Sequence, residues 1–266
     1  VRCDQNLISR YKTSILYSVF VLDAEHKWTG PFFFIQAADP QLGLMKAWRD
    51  GDCDGGGEEW AEEVELTKQA VEAINQLRPR PRFMVLCGDL VHAMPGTPFR
   101  EGQEKDLKAA LKGTDPSIPL VFVSGNHDLG NTPTPSTVEQ YCREWGDDYF
   151  SFWVIPHFCF FFFLFSFFPQ YINTAQTELD TASRERKTCK NWVKAVFSGH
   201  YHRNAGGCHG GLDMVVSSAI GCQLGEDTHG VRVVVVTADN VIHRYYSLEQ
   251  LRARGLDEDL KKLLQA

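Results

Sequence analysis

Four times along this chain, an apolar run of strand length ends in one or two small residues followed by side chains that can bind a metal ion. The four endings are IQAADPQ, VLCGDLVH, VSGNHD and FSGHYH, which supply Asp39–Gln41, Asp89–His92, Asn126–Asp128 and His200–His202. In open α/β sheets, ligands bind beyond the carboxyl ends of the strands, so we expect these side chains to meet at one edge. The pattern therefore predicts an α/β fold with a metal site at that edge.

The residue types in these motifs define the chemistry of the predicted site. Carboxylate, amide oxygen and imidazole groups together suit hard or borderline divalent cations. Two such ions about 3.5–4 Å apart can clamp a phosphoryl group, activate a bridging water and stabilise the leaving oxygen. Each motif alone is weak, because Gly-Asp after a strand is usually a turn. Their order, each at a strand end, argues against coincidence.

Between the motifs, the hydrophobic pattern alternates between strands and helices. The longest predicted helix covers residues 58–77, where Trp60, Val64, Thr67, Val71 and Ile74 form one core-facing stripe. Shorter helices are predicted over 103–112, 136–146 and 256–265. Strands at 31–39, 82–89, 118–128 and 192–202 carry the motifs. Three more, at 212–220, 230–238 and 241–248, follow without helices and predict antiparallel pairing in a second sheet.

Length and charge limit the class of protein. A chain of 266 residues can form one large α/β domain, which we place at 31–266 after an N-terminal extension over 1–30. A net charge of -7 argues against a nucleic-acid or anionic-membrane partner. It leaves an anionic substrate open, because bound cations can supply positive charge locally. The eight cysteines include no CxxC pair, which favours a reduced, cytoplasmic protein.

Residues 149–170 interrupt the regular pattern. They contain no Asp, Glu, Lys or Arg, so by length and charge they resemble a membrane span. However, Phe dominates the segment, and Pro156 and His157 lie within it. A span here would also place the first three motifs and the fourth on opposite sides of a membrane. We therefore favour a segment foreign to the domain over a membrane span.

Taken together, the motifs resemble the signature D-x-(H/Q), GD-x-x-(N/D/H), GNHD and GHxH of the calcineurin-like metallophosphoesterases. The resemblance implies a four-layer α/β-β/α sandwich and a site for two divalent metal ions, which could be Mn, Fe, Zn or Mg. It also implies hydrolysis of phosphate monoesters on phosphoserine or phosphothreonine of proteins, by attack of a hydroxide that bridges the metal ions. The partner would be a phosphorylated protein. The sequence leaves the oligomeric state open.

The resemblance also assigns roles to residues. The metal ligands would be Asp39, Gln41, Asp89 and His202 for the first ion, with Asp89 bridging, and Asn126 and His200 for the second. Gln41 stands where many relatives have a histidine. His127 would stabilise the transition state or protonate the leaving oxygen, with Asp128 orienting its imidazole. Apart from the resemblance, Arg203 follows GHYH and could contact the substrate phosphate or be a surface charge. His92 would contribute to substrate binding or support the site from behind.

One expected motif is absent from this sequence. The family places a further strand ending in a histidine ligand between GNHD and GHxH, yet residues 154–192 carry no such phrase. His157 stands too early and follows no strand-end glycine. Without that strand the sandwich would be incomplete and the second metal ion would lack a ligand. A catalytically impaired isoform or binding scaffold of the same fold is therefore one alternative, and a phosphodiesterase is another.

Overall fold

The computed structural model describes residues 29–53, 57–147, 150–155, 158–162 and 194–265. Its strands are β1 (Phe32–Ala38), β2 (Met84–Cys87), β3 (Leu120–Val123), β4 (Phe150–Ile155), β5 (Phe158–Phe162), β6 (Ala195–Ser198), β7 (Ala205–His209), β8 (Leu212–Val216), β9 (Gly230–Val236) and β10 (Val241–Ser247). Its helices are α1 (Leu44–Asp50), α2 (Ala61–Gln76), α3 (Arg100–Leu111), α4 (Asn126–Leu129), α5 (Pro135–Trp145), α6 (Leu248–Arg254) and α7 (Glu258–Leu263).

The largest sheet has five strands in the order β10-β9-β1-β2-β3. Strands β1, β2 and β3 run parallel, so their carboxyl ends lie at the same edge. Strand β9 pairs antiparallel with both β1 and β10. A second sheet has the order β6-β8-β7, and β4 pairs with β5 as a hairpin.

Side chains alternate between the two faces of the five-stranded sheet, as the pleat of a strand requires. Phe33, Ile35 and Met84 face the helices and join the larger core. Phe34 and Val85 face the other way, in a smaller cluster that includes Phe197 of β6. The rings of Phe34 and Phe197 meet edge to face at 6.4 Å. The five-stranded sheet is therefore enclosed between a helical layer and the second sheet, in agreement with the predicted α/β sandwich.

The predicted pairing of the later strands was partly wrong. We expected the three strands at 212–220, 230–238 and 241–248 to pair antiparallel in a second sheet. Only the first of them, β8, lies there, where it runs parallel to β6 and antiparallel to β7. Strands β9 and β10 pair antiparallel with each other as expected, but they belong to the first sheet. β9 is buried along its whole length, so it gains more from a central position beside β1 than from an outer sheet.

The predicted helices are present with small shifts, and the stripe on α2 lies as expected. Thr67, Val71 and Ile74 are buried, while Trp60 and Val64 pack at the edge of the core. Residues 150–155 and 158–162 form strands, and no helix in the described ranges is long and apolar enough to cross a membrane. Most of the expected N-terminal extension, and most of residues 154–192 including His157, lie outside the described residues.

Candidate active site

The carboxyl ends of β1, β2 and β3 place the first three motifs side by side. The backbone N–H of Gln41 donates to the carbonyl of Asp89 at 3.0 Å, which joins the first two motifs. Gly88 donates to the carbonyl of Val123 at 2.8 Å, which brings the third motif close. The fourth motif arrives from the second sheet, where the N–H of His200 donates to Asp39 Oδ2 at 2.8 Å. All four motifs therefore meet at one edge, as predicted.

The backbone at this edge is strained. Six described residues other than glycine have φ in the left-handed region, and five of them are predicted metal ligands. The five are Asp39 (46°), Gln41 (33°), Asp89 (41°), His200 (71°) and His202 (53°). Such conformations typically cost about 1–3 kcal/mol each and persist where the surrounding structure enforces them. Strain concentrated on these residues is typical of a functional site.

Two glycines, which have no side chain, provide the space in which Asp39 and Asp89 lie. A Cβ added at Gly125 would lie 2.8 Å from Asp89 Cγ. One added at Gly199 would lie 2.8 Å from the carbonyl oxygen of Cys87 and 2.9 Å from Ala38 Cβ. Real Cβ atoms do not approach other atoms so closely, so any larger residue at either position would displace an acid of the site.

The buried acidic residues of the site require compensating positive charge or protonation. Asp39, Asp89 and Asp128 are each at most 2% exposed. Burial raises the pKa of Asp39 well above its ordinary value, and the neighbouring charge of Asp89 raises it further. Burial, with the charge of Asp89, likewise raises the pKa of Asp128 to about 8. Three carboxyl groups brought together out of water are stable only with protons or cations among them.

Asp89 titrates in the opposite direction. Burial pushes its pKa up, but the hydrogen bond with His200 and the nearby charge of His127 outweigh burial and hold it below the ordinary value. His200 Nδ1 lies 3.5 Å from Asp89 Oδ2, and the same contact raises the pKa of His200. Asp89 is thus the acid held as a carboxylate at the centre of the site.

The histidines are oriented by backbone carbonyls. His202 Nδ1 contacts the carbonyl of Cys222, which leaves Nε2 facing Asp39 Oδ1 at 4.0 Å. His127 Nδ1 contacts the carbonyl of His92 in the same way, which leaves its Nε2 for other partners. A carbonyl on one ring nitrogen is the usual means of presenting the other nitrogen to a metal ion or substrate.

The contacts of Asp128 differ from the prediction, and His92 lies buried beside His127. We expected Asp128 to orient the imidazole of His127, but its oxygens accept from the backbone N–H groups of Leu90, at 3.0 Å, and Gly125, at 2.7 Å. The carbonyl of His92 orients that imidazole instead. The His92 ring is 2% exposed and stacks on His127 with centroids 4.9 Å apart. His92 therefore lies buried behind the imidazole of His127.

Arg203 lies at the rim of the site. Its guanidinium covers the ring of Tyr201, 4.8 Å from the centroid. Tyr201 stands between His200 and His202 and is 52% exposed. Tyr201 and Arg203 therefore form a solvent-accessible pair beside the two histidines of the fourth motif.

The described residues offer more ligands for a first metal ion than for a second. Within the described ranges, no three His, Cys, Asp or Glu side chains are gathered closely enough to form a metal-binding group by themselves. However, Asp39 Oδ1 and Gln41 Oε1 are buried there without hydrogen-bond partners, which is costly unless a cation occupies the space. With His202 Nε2 and Asp89, they are the groups that would hold the first ion.

The second ion would have fewer donors among the described residues. Asn126 Nδ2 donates a hydrogen bond to Asn131 Oδ1 at 3.0 Å, which leaves Asn126 Oδ1 free to bind a cation as a ligand. His200 is largely exposed beside Asp89, with 79% of its side chain accessible. Together with the shared Asp89, these residues give three donors.

Sequence reasoning missed the parts of the site that no motif contains. The carbonyl of Cys222, which orients His202, is a backbone group and leaves no signal in the sequence. Ser218 donates to the carbonyl of His202 at 3.0 Å. Arg100 reaches both the His92–Ala93 and the His127–Asp128 segments. Because serines and arginines are common on protein surfaces, neither residue could be singled out beforehand.

The fold and the converging strand-end motifs are those of a calcineurin-like phosphoesterase. The chain belongs to that family, whose profile matches residues 34–236. Its relatives include the serine/threonine-protein phosphatase CPPED1 of Danio rerio, 61% identical over 93% of this chain and 95% of that protein. The protein of the same name from Homo sapiens is 48% identical over 93% of each chain.

Among solved structures, the similarity concerns the fold alone. GAP50, the anchor in the inner membrane complex of Plasmodium, matches with a TM-score of 0.51 at 11% identity. The match covers 88% of this chain and 95% of that chain.

The alignment with the Danio rerio relative is longer than this chain. It spans 293 positions, whereas the chain has 266 residues. The relative therefore carries residues that have no counterpart here.

Proposed function

We propose that this chain is a metal-dependent phosphoesterase that hydrolyses phosphate monoesters, namely phosphoserine and phosphothreonine on proteins, in the cytoplasm. The observation that carries the proposal is the pair of buried oxygens without partners, Asp39 Oδ1 and Gln41 Oε1, beside the shared carboxylate of Asp89. The substrate class follows from the serine/threonine-protein phosphatase names of the relatives. The net charge of -7 supports a protein substrate over a nucleic acid.

We assign a part in this reaction to each residue of the candidate site. Asp39, Gln41, Asp89 and His202 would hold one divalent ion, and Asp89, Asn126 and His200 would hold the other. When bound, the ions would supply Lewis acidity and positive charge to the phosphoryl group.

The remaining residues act on the substrate. His127, fixed through Nδ1 by the His92 carbonyl, would hold a proton on Nε2 for the leaving seryl oxygen. Arg203 would contact the phosphate with its planar guanidinium. Tyr201 holds that guanidinium at the rim by a cation–π contact.

The test compares a phosphate monoester and a phosphate diester that have the same leaving group. The wild-type chain, incubated with Mn²⁺, should hydrolyse p-nitrophenyl phosphate and a phosphoserine peptide faster than bis(p-nitrophenyl) phosphate. Asp89→Asn should lose activity by a factor on the order of 100 or more, because it removes the charge of the shared ligand. Asp239→Asn, in an exposed turn, is the matched control and should retain wild-type rates. A preference for the diester would indicate a phosphodiesterase.

A second candidate is a binding scaffold of the same fold with impaired catalysis. Two observations favour this candidate. The Danio rerio relative has residues that this chain lacks, and the second ion would have fewer ligands than the first. Elemental analysis after dialysis against Mn²⁺ separates the two candidates. Two ions per chain, together with activity that Asp89→Asn abolishes, support the enzyme. One ion or none, without turnover, supports the scaffold.

A further inference from the structure

Arg100 is a buried guanidinium that joins two segments of the site without belonging to any of its motifs. It is the first residue of α3 and is 5% exposed. Nη1 donates to the carbonyls of Ala93 and His127, both at 2.9 Å, and Nη2 donates to the carbonyl of Asp128 at 3.0 Å. One side chain therefore ties the segment after β2 to the segment after β3.

The surroundings of Arg100 hold the guanidinium in place. Its Nε lies 3.0 Å from Glu104 Oε1, one turn along α3, where the two buried side chains form an ion pair without a hydrogen bond between these atoms. The preceding residue, Phe99, has φ of 71° and begins the helix without a side-chain cap. A left-handed conformation is unusual for a bulky residue and persists where the structure depends on it. Burial of a charge is also costly unless its hydrogen bonds are made. The strained backbone before Arg100 and the three hydrogen bonds of its guanidinium both restrict where this side chain can lie.

The helix that carries Arg100 also holds the His92–Ala93 segment through a second contact. Gln103 Oε1 accepts from the N–H of Ala93 at 2.9 Å, so α3 fixes both the N–H and the carbonyl of that residue. The carbonyl of His92, one residue earlier, is the partner of His127 Nδ1. Arg100 therefore determines where the acceptor of His127 lies, and its bond to the His127 carbonyl determines where the histidine itself lies.

We propose that Arg100 is a positioning residue that fixes the imidazole of His127 relative to the His92 carbonyl, and so aims Nε2 at the leaving oxygen. The proposal rests on the proposed function, in which His127 protonates that oxygen. A lysine cannot replace the arginine, because an ammonium group lacks the planar fork that reaches three carbonyls in two directions. The effect should therefore appear even in the conservative variant Arg100→Lys.

The test uses two phosphate monoesters that differ in their need for a proton. The alkoxide of a phosphoserine peptide is a poor leaving group and requires an acid, whereas p-nitrophenolate leaves without one. We expect Arg100→Lys to lower kcat about 10-fold or more on the peptide and less than about 3-fold on p-nitrophenyl phosphate, with KM unchanged. The control is Arg143→Lys, which changes an exposed arginine on α5 whose guanidinium faces Glu139. Equal losses on both substrates, or no loss on the peptide, would overturn the proposal.

A second measurement does not depend on activity. Hydrogen exchange should become faster in Arg100→Lys for the amides of residues 90–93 and 125–129, while those of β9 stay protected. Unchanged exchange in the two site segments would overturn the proposal. So would a uniform increase that includes β9, since it would reveal a general loss of stability. If the wild-type chain hydrolyses neither ester, the proposed function fails, and the exchange data still decide whether Arg100 fixes the two segments.

Discussion

Replacement of Gly199 by alanine tests whether the space beside Asp39 is essential to the site. Gly199 has no left-handed φ, so alanine causes no backbone strain there. The obstacle is steric, because the new Cβ would lie 2.8 Å from the Cys87 carbonyl oxygen and 2.9 Å from Ala38 Cβ, and closer still to Asp39 Oδ2. Atoms this close must move apart by several tenths of an ångström.

The size of the effect follows from which atoms must move. Overpacking of a core typically costs about 1–3 kcal/mol. The carbonyl of Cys87 and the Cβ of Ala38 belong to paired strands and cannot rotate away, so we expect about 2–3 kcal/mol. In a domain of this size, that corresponds to a Tm lower by roughly 5–10 °C. The displacement also disturbs the bond from the His200 N–H to Asp39, so stabilisation of the chain by Mn²⁺ should weaken as well.

Calorimetry with and without Mn²⁺ measures both effects. The matched control is Gly207→Ala in β7, where an added Cβ would meet no atom within 4 Å. Gly207→Ala should change stability by less than about 0.5 kcal/mol. Equal Tm values for the two variants would refute the steric argument. A wild-type response to Mn²⁺ in Gly199→Ala would refute the link between this glycine and the metal site.

Three further predictions concern residues other than the expected metal ligands. Glu63 is 1% exposed, and its Oε1 accepts from the backbone N–H groups that begin α1, so Glu63→Ala should cost about 2–3 kcal/mol in urea unfolding. Glu63→Gln keeps an acceptor oxygen, and a similar loss in that variant would contradict the reasoning. Iodoacetamide near pH 8 should modify exposed Cys53 at least about 10-fold faster than Cys222, whose pKa burial raises to about 11. Peptide mass spectrometry measures the ratio, and comparable rates would show that Cys222 is accessible. Arg244 donates to Asp257 at 2.5 Å and holds the pKa of that carboxyl below its ordinary value. The ion pair therefore stabilises the fold above the unfolded pKa of about 3.9 and loses its effect as pH falls through the folded value. Arg244→Ala should accordingly lower the Tm at pH 7 but have little effect near pH 2, and a constant difference would exclude the ion pair as the cause.

The sequence predicted the convergence of the strand-end motifs because its signals are local. Each apolar run is a buried strand, and the small residue after it marks where the strand stops. Since β1, β2 and β3 run parallel, the strand ends alone placed Asp39, Asp89 and Asn126 at one edge.

Longer-range contacts could not be predicted in this way. The pairing of β9 with β1 joins residues about 200 positions apart, and nothing in the VRVVVV run specifies its neighbour. The placement of His92 behind His127, and of Asp128 between Leu90 and Gly125, likewise depends on tertiary contacts. For the same reason Arg100 could not be recognised, because its three carbonyl partners are backbone groups brought together only by the fold.

The position of β9 beside β1 has a consequence for synthesis of the chain. A ribosome adds about 5–20 residues per second, so roughly 10–40 seconds separate the emergence of β1 from that of β9. During that interval one edge of β1, which carries Phe33, Phe34 and Ile35, has no partner strand. Unpaired apolar edges recruit strands from other chains. Nascent chains of this protein should therefore depend on chaperones until the β9 segment has left the ribosome.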